Sequence, residues 1–234
     1  MKYSEKSLRH ELKYFINMHE YMYLKERLSG ILKKDKHGLV NDEYHIRSLY
    51  FDDVYNSAFT EKELGVFKRK KYRIRIYNMT DKLIKLEKKS KYGQYISKEM
   101  ISLTRKGFYK LLREENEFLI QSNNKFLQEL YIEIKTKLLK PVVIVDYERE
   151  AYILEAGNVR ITFDKNLRAG INSFDIFDKN IATKIIFDKP IMIMEVKYDS
   201  FLPSHVRNIL QIDSHNISAA SKYVMCRELI NHYK

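Results

Sequence analysis

The sequence predicts an α+β fold, in which a mainly antiparallel sheet or barrel packs against helices. Three observations lead to this class. Several segments alternate between charged and apolar residues, which is the period of a strand with one face in a core. Other segments repeat apolar residues at the spacing of an amphipathic helix. Many predicted strands follow one another with short connections, as in hairpins, which favours antiparallel pairing.

The first half of the chain begins with a predicted strand at residues 7–16, where charged and apolar residues alternate. Helical spacing follows over residues 17–34, with Asn17 as the expected N-cap, and residues 35–43 are expected to form a loop. Further strands are predicted at 44–52, 68–78, 82–90 and 98–101, and a short helix at 55–64.

In the second half, Thr104 is expected to cap a helix that runs to about residue 120, and Pro141 is expected to stop a second helix at 124–138. Pro203 and Ser218 are expected to open two more helices, to about residues 213 and 231. Strands are predicted at 142–154, 159–164, 183–188 and 191–199. Because no linker or repeat interrupts the chain, we expect a single domain over residues 1–234.

The chain carries 43 Lys and Arg against 31 Asp and Glu, a formal charge of +12. Such an excess suits a polyanionic partner, although a lysine-rich surface alone would also give it. No apolar run is long enough for a membrane-spanning helix, and the amino terminus lacks the apolar core of a signal peptide. Cys226, the only cysteine, is expected to be a buried helix residue. These features together predict a cytoplasmic protein.

At least five predicted strands have one charged and one apolar face. The residues of the charged faces are Arg9, Glu11, Lys13; Arg73, Arg75; Lys85, Glu87, Lys89; Arg160, Thr162, Asp164; and Glu195, Lys197. If the apolar faces pack on the helices, the charged faces must lie on the other side of the sheet. They then form either an open basic surface or the lining of a closed sheet.

Closure of the sheet would remove exposed strand edges and bring many cations together. Phosphate oxygens would balance that charge, because the planar fork of arginine binds phosphate through two hydrogen bonds. Glu11, Glu87 and Glu195 would then be candidate ligands of a divalent ion that prefers oxygen. The alternative for these glutamates is an internal salt bridge to a neighbouring cation.

A series of short motifs, in this order, resembles the VTC domain. The motifs are RHELKY, RSLYFDD, RKKYRIRIY, KLEKK, the downstream Lys98, YEREAY, VRITFD, MEVKY and ISAASKY. The VTC domain is the catalytic domain of the vacuolar transporter chaperone polyphosphate polymerase, in the triphosphate tunnel metalloenzyme superfamily. The similarity extends from about residue 8 to residue 226. It implies an eight-stranded antiparallel β-barrel that encloses a basic tunnel, with helices packed outside.

The resemblance also implies site residues. Catalytic roles fall to Lys13, Arg73, Arg75, Lys89, Arg149, Arg160 and Lys222. Arg9, Lys98 and Lys197 are candidates for substrate binding. The metal-binding glutamate of the family corresponds to Glu195, and Glu11 and Glu87 are further candidates for holding Mn²⁺ or Mg²⁺.

The first strand departs from other branches of the superfamily, which begin with an ExExK strand. The same positions here are Arg9, Glu11 and Lys13, so a cation replaces one carboxylate. This replacement favours binding of a long anion over hydrolysis with two metals. The regulatory domain and membrane segment of the eukaryotic polymerase are not expected here. A separate membrane protein, at the inner face of the membrane, is therefore the expected partner if the product must be exported.

The expected function is polyphosphate synthesis, in which the γ-phosphate of ATP or another triphosphate is added to a growing polyphosphate chain. Two alternatives remain open: a metal-dependent triphosphatase of the same superfamily, and a non-catalytic polyanion-binding module. Nucleic acid is not the expected partner, because most tyrosines occupy apolar or helical positions rather than a surface suited to stacking bases.

Overall fold

The computed structural model describes residues 10–35, 43–93, 95–211 and 218–232. The strands in these residues are β1 (His10–Ile16), β2 (Lys33–Lys34), β3 (Glu43–Asp52), β4 (Lys68–Tyr77), β5 (Thr80–Tyr92), β6 (Tyr95–Leu103), β7 (Lys140–Leu154), β8 (Val159–Gly170), β9 (Thr183–Ile185) and β10 (Met192–Tyr198). The α-helices are α1 (Met18–Ser29), α2 (Ser57–Glu63), α3 (Arg105–Leu112), α4 (Glu117–Ile120), α5 (Lys125–Lys137), α6 (Ser204–Leu210) and α7 (Lys222–Asn231).

The strands pair in the order β1-β10-β8-β7-β3-β4-β5-β6, with β2 beside β7 and β9 beside β8. The pairs β1–β10, β10–β8, β3–β4, β4–β5 and β5–β6 are all antiparallel. The predicted antiparallel sheet with helices is therefore confirmed. Within the described residues this order does not close on itself, so the eight-stranded barrel stays a prediction.

Two predicted helix starts are confirmed by their caps. The side chain of Asn17 accepts a hydrogen bond from the Glu20 backbone N–H at 3.0 Å, and the Glu20 carboxylate accepts one from the Asn17 backbone at 2.7 Å. This reciprocal pair is a capping box. The Thr104 hydroxyl accepts a hydrogen bond from the Gly107 backbone at 3.0 Å. In both cases a polar side chain satisfies an N–H that the helix itself cannot pair.

Three predicted helices differ in extent from the structure. The helix expected over residues 17–34 ends at Ser29, because Lys33 and Lys34 pair with β7. The helix expected from residue 104 to 120 is two helices, separated where Glu114 adopts a left-handed backbone. The last helix begins at Lys222 rather than Ser218, whose backbone N–H is bonded to β1 instead. Strand pairing and local backbone geometry thus outweigh apolar spacing at these positions.

Pro141 does not stop a helix. Helix α5 ends at Lys137, where the following Leu138 takes a left-handed backbone with φ of 52°. Pro141 lies inside β7, close to its first residue. Proline is tolerated near the start of a strand, where a missing N–H costs little pairing.

The chain divides into two compact units, and each has its own core. The first comprises Met1–His45, Tyr147–Leu167 and Phe187–Ser221. In its described part, apolar residues of β1, β8 and β10 lie in one buried cluster with residues of α1 and α6. The cluster includes Tyr14, Ile161, Phe163, Met194 and Val196 from the strands, and Leu24, Leu28, Val206 and Leu210 from the helices.

The second unit comprises Ile46–Asp146, Arg168–Ile186 and Lys222–Lys234. In its described part the apolar faces of β4 and β5 lie in a buried cluster with α3 and α5. The cluster includes Ile74, Ile76 and Leu86 from the strands, and Phe108, Leu111, Phe126 and Leu130 from the helices. In both units the apolar strand faces pack on helices, as predicted, so the charged residues occupy the opposite faces of these strands.

None of the helices in the described part of the chain combines the length and the apolar character that crossing a membrane requires.

Candidate functional site

The charged face of the first unit is arranged in two rows that run across three neighbouring strands. In one row Lys13 of β1 lies opposite Glu195 of β10, which lies opposite Thr162 of β8. In the next row Glu11 of β1 lies opposite Lys197 of β10, which lies opposite Arg160 of β8. Because directly opposite residues have their Cβ atoms about 4.5–5.5 Å apart, these side chains are immediate neighbours.

Glu195 is the centre of this arrangement. Its carboxylate lies 3.3 Å from Nζ of Lys197, 3.7 Å from Nη2 of Arg149 and 3.8 Å from Nζ of Lys13. Glu11 in turn lies 3.0 Å from Nζ of Lys13 and 3.9 Å from Nζ of Lys197. Glu195 is buried, so these cations also compensate the cost of removing its charge from water.

Arg149 is fixed by a carboxylate that the sequence did not single out as its partner. Its Nε and Nη2 donate to the two oxygens of Asp164 at 2.5 and 2.7 Å, which is a bidentate pair. Burial opposes the charge of Arg149, but the negative charges around it, mainly Asp164, outweigh burial and raise the pKa of its guanidinium well above the usual value. We call Glu11, Lys13, Arg149, Asp164, Glu195 and Lys197 the Glu195 cluster. It contains three cations and three carboxylates.

Arg160 is held separately within the same unit. Its Nη2 donates to the Asp35 carboxylate at 2.5 Å and to the Tyr44 hydroxyl at 3.0 Å. Burial raises the pKa of Tyr44, against the opposing charges of Arg149 and Arg160. Tyr44 is therefore a neutral hydrogen-bonding group that orients the guanidinium.

The residues around Glu195 fit a divalent ion. Thr162, opposite Glu195, is 2% exposed, and its buried hydroxyl has no hydrogen-bond partner among the described residues. Mg²⁺ is commonly bound by one or two carboxylates together with substrate phosphates and water, so a dedicated all-protein cage is not required. In the described ranges, no group of three or more His, Cys, Asp or Glu side chains is placed to hold a metal alone. Glu195, with Glu11 and Thr162 nearby, supplies suitable oxygens.

The charged face of the second unit is dominated by two arginines of β4. Arg73 donates from Nε to the Glu87 carboxylate at 2.6 Å and from Nη1 to the Tyr50 hydroxyl at 2.9 Å. Arg75, which is 7% exposed, donates from Nε to the Ser48 hydroxyl at 2.9 Å. Lys98 of β6 lies 2.6 Å from the other oxygen of Glu87. We call Ser48, Tyr50, Arg73, Arg75, Glu87 and Lys98 the Arg73 cluster.

The pKa values of Glu87 and Tyr50 are both lowered by the positive charges of this cluster. Burial of Glu87 favours its neutral form, but Arg73, Arg75 and Lys98 outweigh burial and lower its pKa to about 2. Burial likewise raises the pKa of Tyr50, yet the charges of Arg73, Arg75 and Lys222 lower it below its usual value. The Arg73 cluster therefore has a positive potential even though Glu87 is ionised within it.

The structure brings most predicted site residues into these two groups. Lys13, Arg149, Glu11, Glu195 and Lys197 form one, with Arg160 in the row beside it. Arg73, Arg75, Glu87 and Lys98 form the other, with Lys89 directly opposite Lys98 and Lys222 acting on Tyr50. Arg9 lies outside the described residues. Whether Glu11 and Glu87 bind a metal stays a prediction, and both carboxylates take part in ion pairs, the alternative named for them.

Several polar partners were not identified as site residues from the sequence. They are Asp35, Tyr44, Ser48, Tyr50, Thr162 and Asp164. Thr162 and Asp164 share a face with Arg160, so alternation alone placed them near the site. The other four are Asp35, which directly follows β2, and Tyr44, Ser48 and Tyr50 of β3. Their contacts with the arginines depend on strand register, which sequence periodicity does not predict.

Cys226 is buried in α7, as predicted, and burial raises the pKa of its thiol. A thiol in this state is a poor nucleophile, which excludes it from the candidate chemistry.

Comparisons with known proteins support the motif analysis. The family model of the VTC domain matches residues 8–231. No curated protein matches the chain.

One similar solved structure is HpAC1 from Hippeastrum, a candidate adenylyl cyclase described as having a dominant triphosphatase activity. It is 15% identical, with a TM-score of 0.57, and the match covers 93% of this chain and 94% of that chain. The PH1819 protein from Pyrococcus horikoshii OT3 is 14% identical with a TM-score of 0.48, over 97% and 99% of the two chains. The likeness to HpAC1 shows a shared fold, and the family match over nearly the whole sequence shows that the chain belongs to the VTC domain family.

Proposed function

We propose that this protein is a polyphosphate polymerase that transfers the γ-phosphate of ATP to a growing polyphosphate chain, dependent on Mn²⁺ or Mg²⁺. The observation that carries the proposal is the excess of positive charge in the Arg73 cluster. Two arginines and a lysine surround a single carboxylate, and the most buried of the three cations is 7% exposed. A positive potential in so confined a place favours a compact, multiply charged anion over a singly charged one.

Arginine is suited to this anion because its guanidinium can bind two phosphate oxygens at once. Glu87 holds Arg73 and Lys98 in place, and Ser48 holds Arg75, so the donors are oriented before substrate arrives. Preorganised donors of this kind stabilise the charge that develops on the transferring phosphoryl group. The Tyr50 hydroxyl accepts a hydrogen bond from Arg73, which fixes the position of this guanidinium as well.

The Glu195 cluster has a different role in the proposal. Its cations and carboxylates balance, so it offers little net attraction for a phosphate. It does offer the carboxylate of Glu195 beside the buried Thr162 hydroxyl. We assign metal binding to these residues, and a divalent ion bound there would neutralise charge on phosphate oxygens. Lys13, Arg149 and Lys197 surround the Glu195 carboxylate and hold it in position.

The reaction needs little covalent participation from the protein. An oxygen of the terminal phosphate of the chain attacks the γ-phosphorus, the bond from that phosphorus to the β–γ bridging oxygen breaks, and ADP leaves with the bond electrons. Positioning and charge stabilisation account for most catalysis of phosphoryl transfer. The proposal also includes three expectations from the sequence. They are a closed barrel, a single domain and a separate membrane protein for export of the product.

Hydrolysis of a triphosphate is the second candidate. It is favoured by the described triphosphatase activity of HpAC1, whose fold this chain shares. The same residues would bind the substrate, but water would replace the terminal phosphate of the chain as nucleophile.

One assay separates these functions. Purified protein is incubated with γ-³²P-ATP and Mn²⁺ or Mg²⁺, and the products are resolved on a gel and by thin-layer chromatography. We expect a ladder of phosphatase-sensitive chains, lost in Arg75→Ala and retained in Arg105→Ala, which removes an exposed arginine from a helix instead. Orthophosphate without chains would replace the proposal with the triphosphatase. If neither chains nor orthophosphate form and polyphosphate still binds tightly, the protein is a non-catalytic polyanion-binding module.

A further inference from the structure

An exposed apolar patch lies at one end of the sheet in the second unit, where the connection from α2 to β4 meets the turn between β5 and β6. Leu64 is 74% exposed, Phe67 72% and Tyr95 65%. Three more apolar side chains of these two segments are also exposed, namely those of Val66, Tyr92 and Ile96. We call Leu64, Val66, Phe67, Tyr92, Tyr95 and Ile96 the apolar patch. None of them takes part in the proposed transfer.

Backbone contacts hold the two segments of the patch together. The Gly93 backbone N–H donates to the Phe67 carbonyl at 2.8 Å. The Phe67 ring lies across Gly93 so closely that a Cβ at Gly93 would come within 2.6 Å of it. Tyr92 is directly opposite Tyr95 on one side and Lys68 on the other. The apolar side chains of the two segments therefore form one continuous surface.

The surroundings of this surface are cationic. Residues 64–71 and 90–98, which carry the patch, contain six Lys or Arg and no Asp or Glu. Nζ of Lys68 lies 5.4 Å from the ring centre of Tyr92, and Nη1 of Arg69 donates to the Val66 carbonyl at 2.9 Å. Neither Lys68 nor Arg69 forms an ion pair with another described residue. Two cations beside the exposed rings can therefore attract an anion from outside the protein.

Exposed apolar rings together with adjacent cations fit an anionic membrane surface. Exposed apolar side chains are ordinary when they are scattered singly, whereas a continuous patch with a polar rim marks a surface for binding. Aromatic side chains, tyrosine among them, are favoured at the level of lipid headgroups, and nearby Lys and Arg are attracted to anionic lipids. A turn at the end of strands can enter the headgroup layer while the sheet stays outside it. An anionic bilayer therefore matches the rings, the cations and the position of the patch at once.

We propose that the apolar patch, together with Lys68 and Arg69, docks on the surface of a bilayer that contains anionic lipid. Shallow insertion of a few apolar side chains gives weak and reversible binding, which the attraction of adjacent cations to anionic lipid strengthens. The inference uses no residue of the Arg73 cluster or the Glu195 cluster. It therefore does not depend on the proposed phosphoryl transfer.

The first measurement is insertion of the patch into vesicles. The chain contains no tryptophan, so a single one reports its own surroundings by fluorescence. Phe67→Trp places it in the patch, and Phe174→Trp is the matched control, because Phe174 is an exposed phenylalanine of the same unit outside the patch. Each variant is mixed with vesicles of phosphatidylcholine, alone or with about 30% phosphatidylglycerol. Excess tripolyphosphate in the buffer occupies sites that bind free phosphate groups.

We expect the emission of Phe67→Trp to shift to shorter wavelength with the anionic vesicles, and brominated acyl chains to quench it. Phe174→Trp should show neither effect. A protein of net charge +12 adheres to anionic surfaces through charge alone, so binding without insertion would not support the proposal. Absence of the shift in Phe67→Trp, or an equal shift in Phe174→Trp, would overturn it.

The second measurement is the affinity for the same vesicles by flotation. Phe67→Ser/Tyr95→Ser should bind the anionic vesicles at least tenfold more weakly than the wild type. Lys68→Gln/Arg69→Gln should reduce the preference for anionic over neutral vesicles by a similar factor. The control, Ile132→Ser/Phe174→Ser, changes two exposed apolar residues outside the patch and should stay within twofold. Circular dichroism establishes that each variant is folded, and equal weakening by the control would contradict the proposal.

Two further results separate this inference from its alternatives. Light scattering tests whether a second copy of the chain covers the patch. A dimer that Phe67→Ser/Tyr95→Ser converts to a monomer, with unchanged binding to vesicles, would make the patch a dimer interface and overturn the proposal. If ATP yields no chains but Phe67→Trp inserts into anionic vesicles, the polymerase proposal fails and the docking surface stands.

Discussion

Glu195 of β10 lies directly opposite Thr162 of β8, and the Thr162 hydroxyl is buried without a hydrogen-bond partner in the described part of the chain. An unpaired buried hydroxyl costs stability, on the order of 1–3 kcal/mol. Its presence beside a buried carboxylate is explained if a ligand oxygen or metal-bound water pairs with it during the reaction.

Thr162→Val should therefore separate stability from activity. We expect the free energy of unfolding to stay the same or to rise by about 1 kcal/mol, because the unpaired hydroxyl is replaced by a methyl group. Turnover at limiting Mn²⁺ should fall about tenfold or more. Chemical denaturation and a Mn²⁺ titration of activity measure the two effects. Thr162→Ser, which keeps the hydroxyl, should retain most activity, and equal loss in both variants would indicate a packing role instead.

Glu195→Gln should abolish turnover while the protein stays folded. The substitution keeps the shape of the side chain but leaves Lys13, Arg149 and Lys197 without the carboxylate they surround. We expect no measurable chain or phosphate release at any Mn²⁺ concentration, with a thermal unfolding transition that is still cooperative. Glu155→Gln is the matched control, because Glu155 is an exposed glutamate. Full activity in Glu195→Gln would refute its assignment as the metal ligand.

We expect turnover to depend on the guanidinium group of Arg75 and not only on its positive charge. Arg75→Lys keeps one positive charge but cannot form a planar, two-pronged contact with phosphate. We expect a loss of about 10³-fold in kcat for Arg75→Ala, comparable to the loss of a donor to transition-state charge, and a loss of at least tenfold for Arg75→Lys. Steady-state kinetics with each variant measures both. Activity of Arg75→Lys within twofold of the wild type would contradict the bidentate role.

Glu87 makes stability depend on pH in a defined window. Its pKa in the folded protein is about 2, against an ordinary value of 4.5. Since the folded pKa is lower, the ionised group stabilises the protein above pH 4.5, and this contribution is lost as the pH falls from 4.5 toward 2. It amounts to at most about 3 kcal/mol. Urea unfolding of the wild type and Glu87→Gln should show a difference near pH 7 that narrows toward pH 2. A difference that is constant with pH would mean that the ionisation of Glu87 does not stabilise the fold.

Sequence periodicity predicted which residues share a face, and the structure bears this out for the strands of both units. Ile74 is in a core cluster, while Arg73 and Arg75 are on the other face of the same strand. Side-chain direction in a strand depends only on odd or even position, so it can be read from the sequence. The Asn17 and Thr104 caps were predictable for a similar reason, because a cap is set within a few residues.

Register was not predictable in this way. That Glu195 is opposite Thr162, or that Arg149 pairs with Asp164, depends on how strands distant in sequence align. Alternation is unchanged when a strand shifts by two residues, so periodicity alone leaves several alignments equally good. The predicted end of the first helix was wrong for a related reason, because Lys33 and Lys34 pair with strand residues more than a hundred positions later.

The Arg73 cluster also has a consequence for how the protein is made. The charge of Lys222 acts on Tyr50 of β3, whose ring centre lies 5.1 Å from that of Tyr223 at an interplanar angle of 30°. The Tyr223 hydroxyl donates a hydrogen bond to Asp52 at the end of β3. Asp52 and Tyr223 are separated by 171 positions in the chain. A nascent polypeptide that has emerged only as far as β8 already carries both arginines, but it lacks the helix that completes their surroundings. Translation must therefore pass Tyr223 before the surroundings of Arg73 and Arg75 are complete, and a shorter nascent chain leaves this basic part of the sheet unfinished.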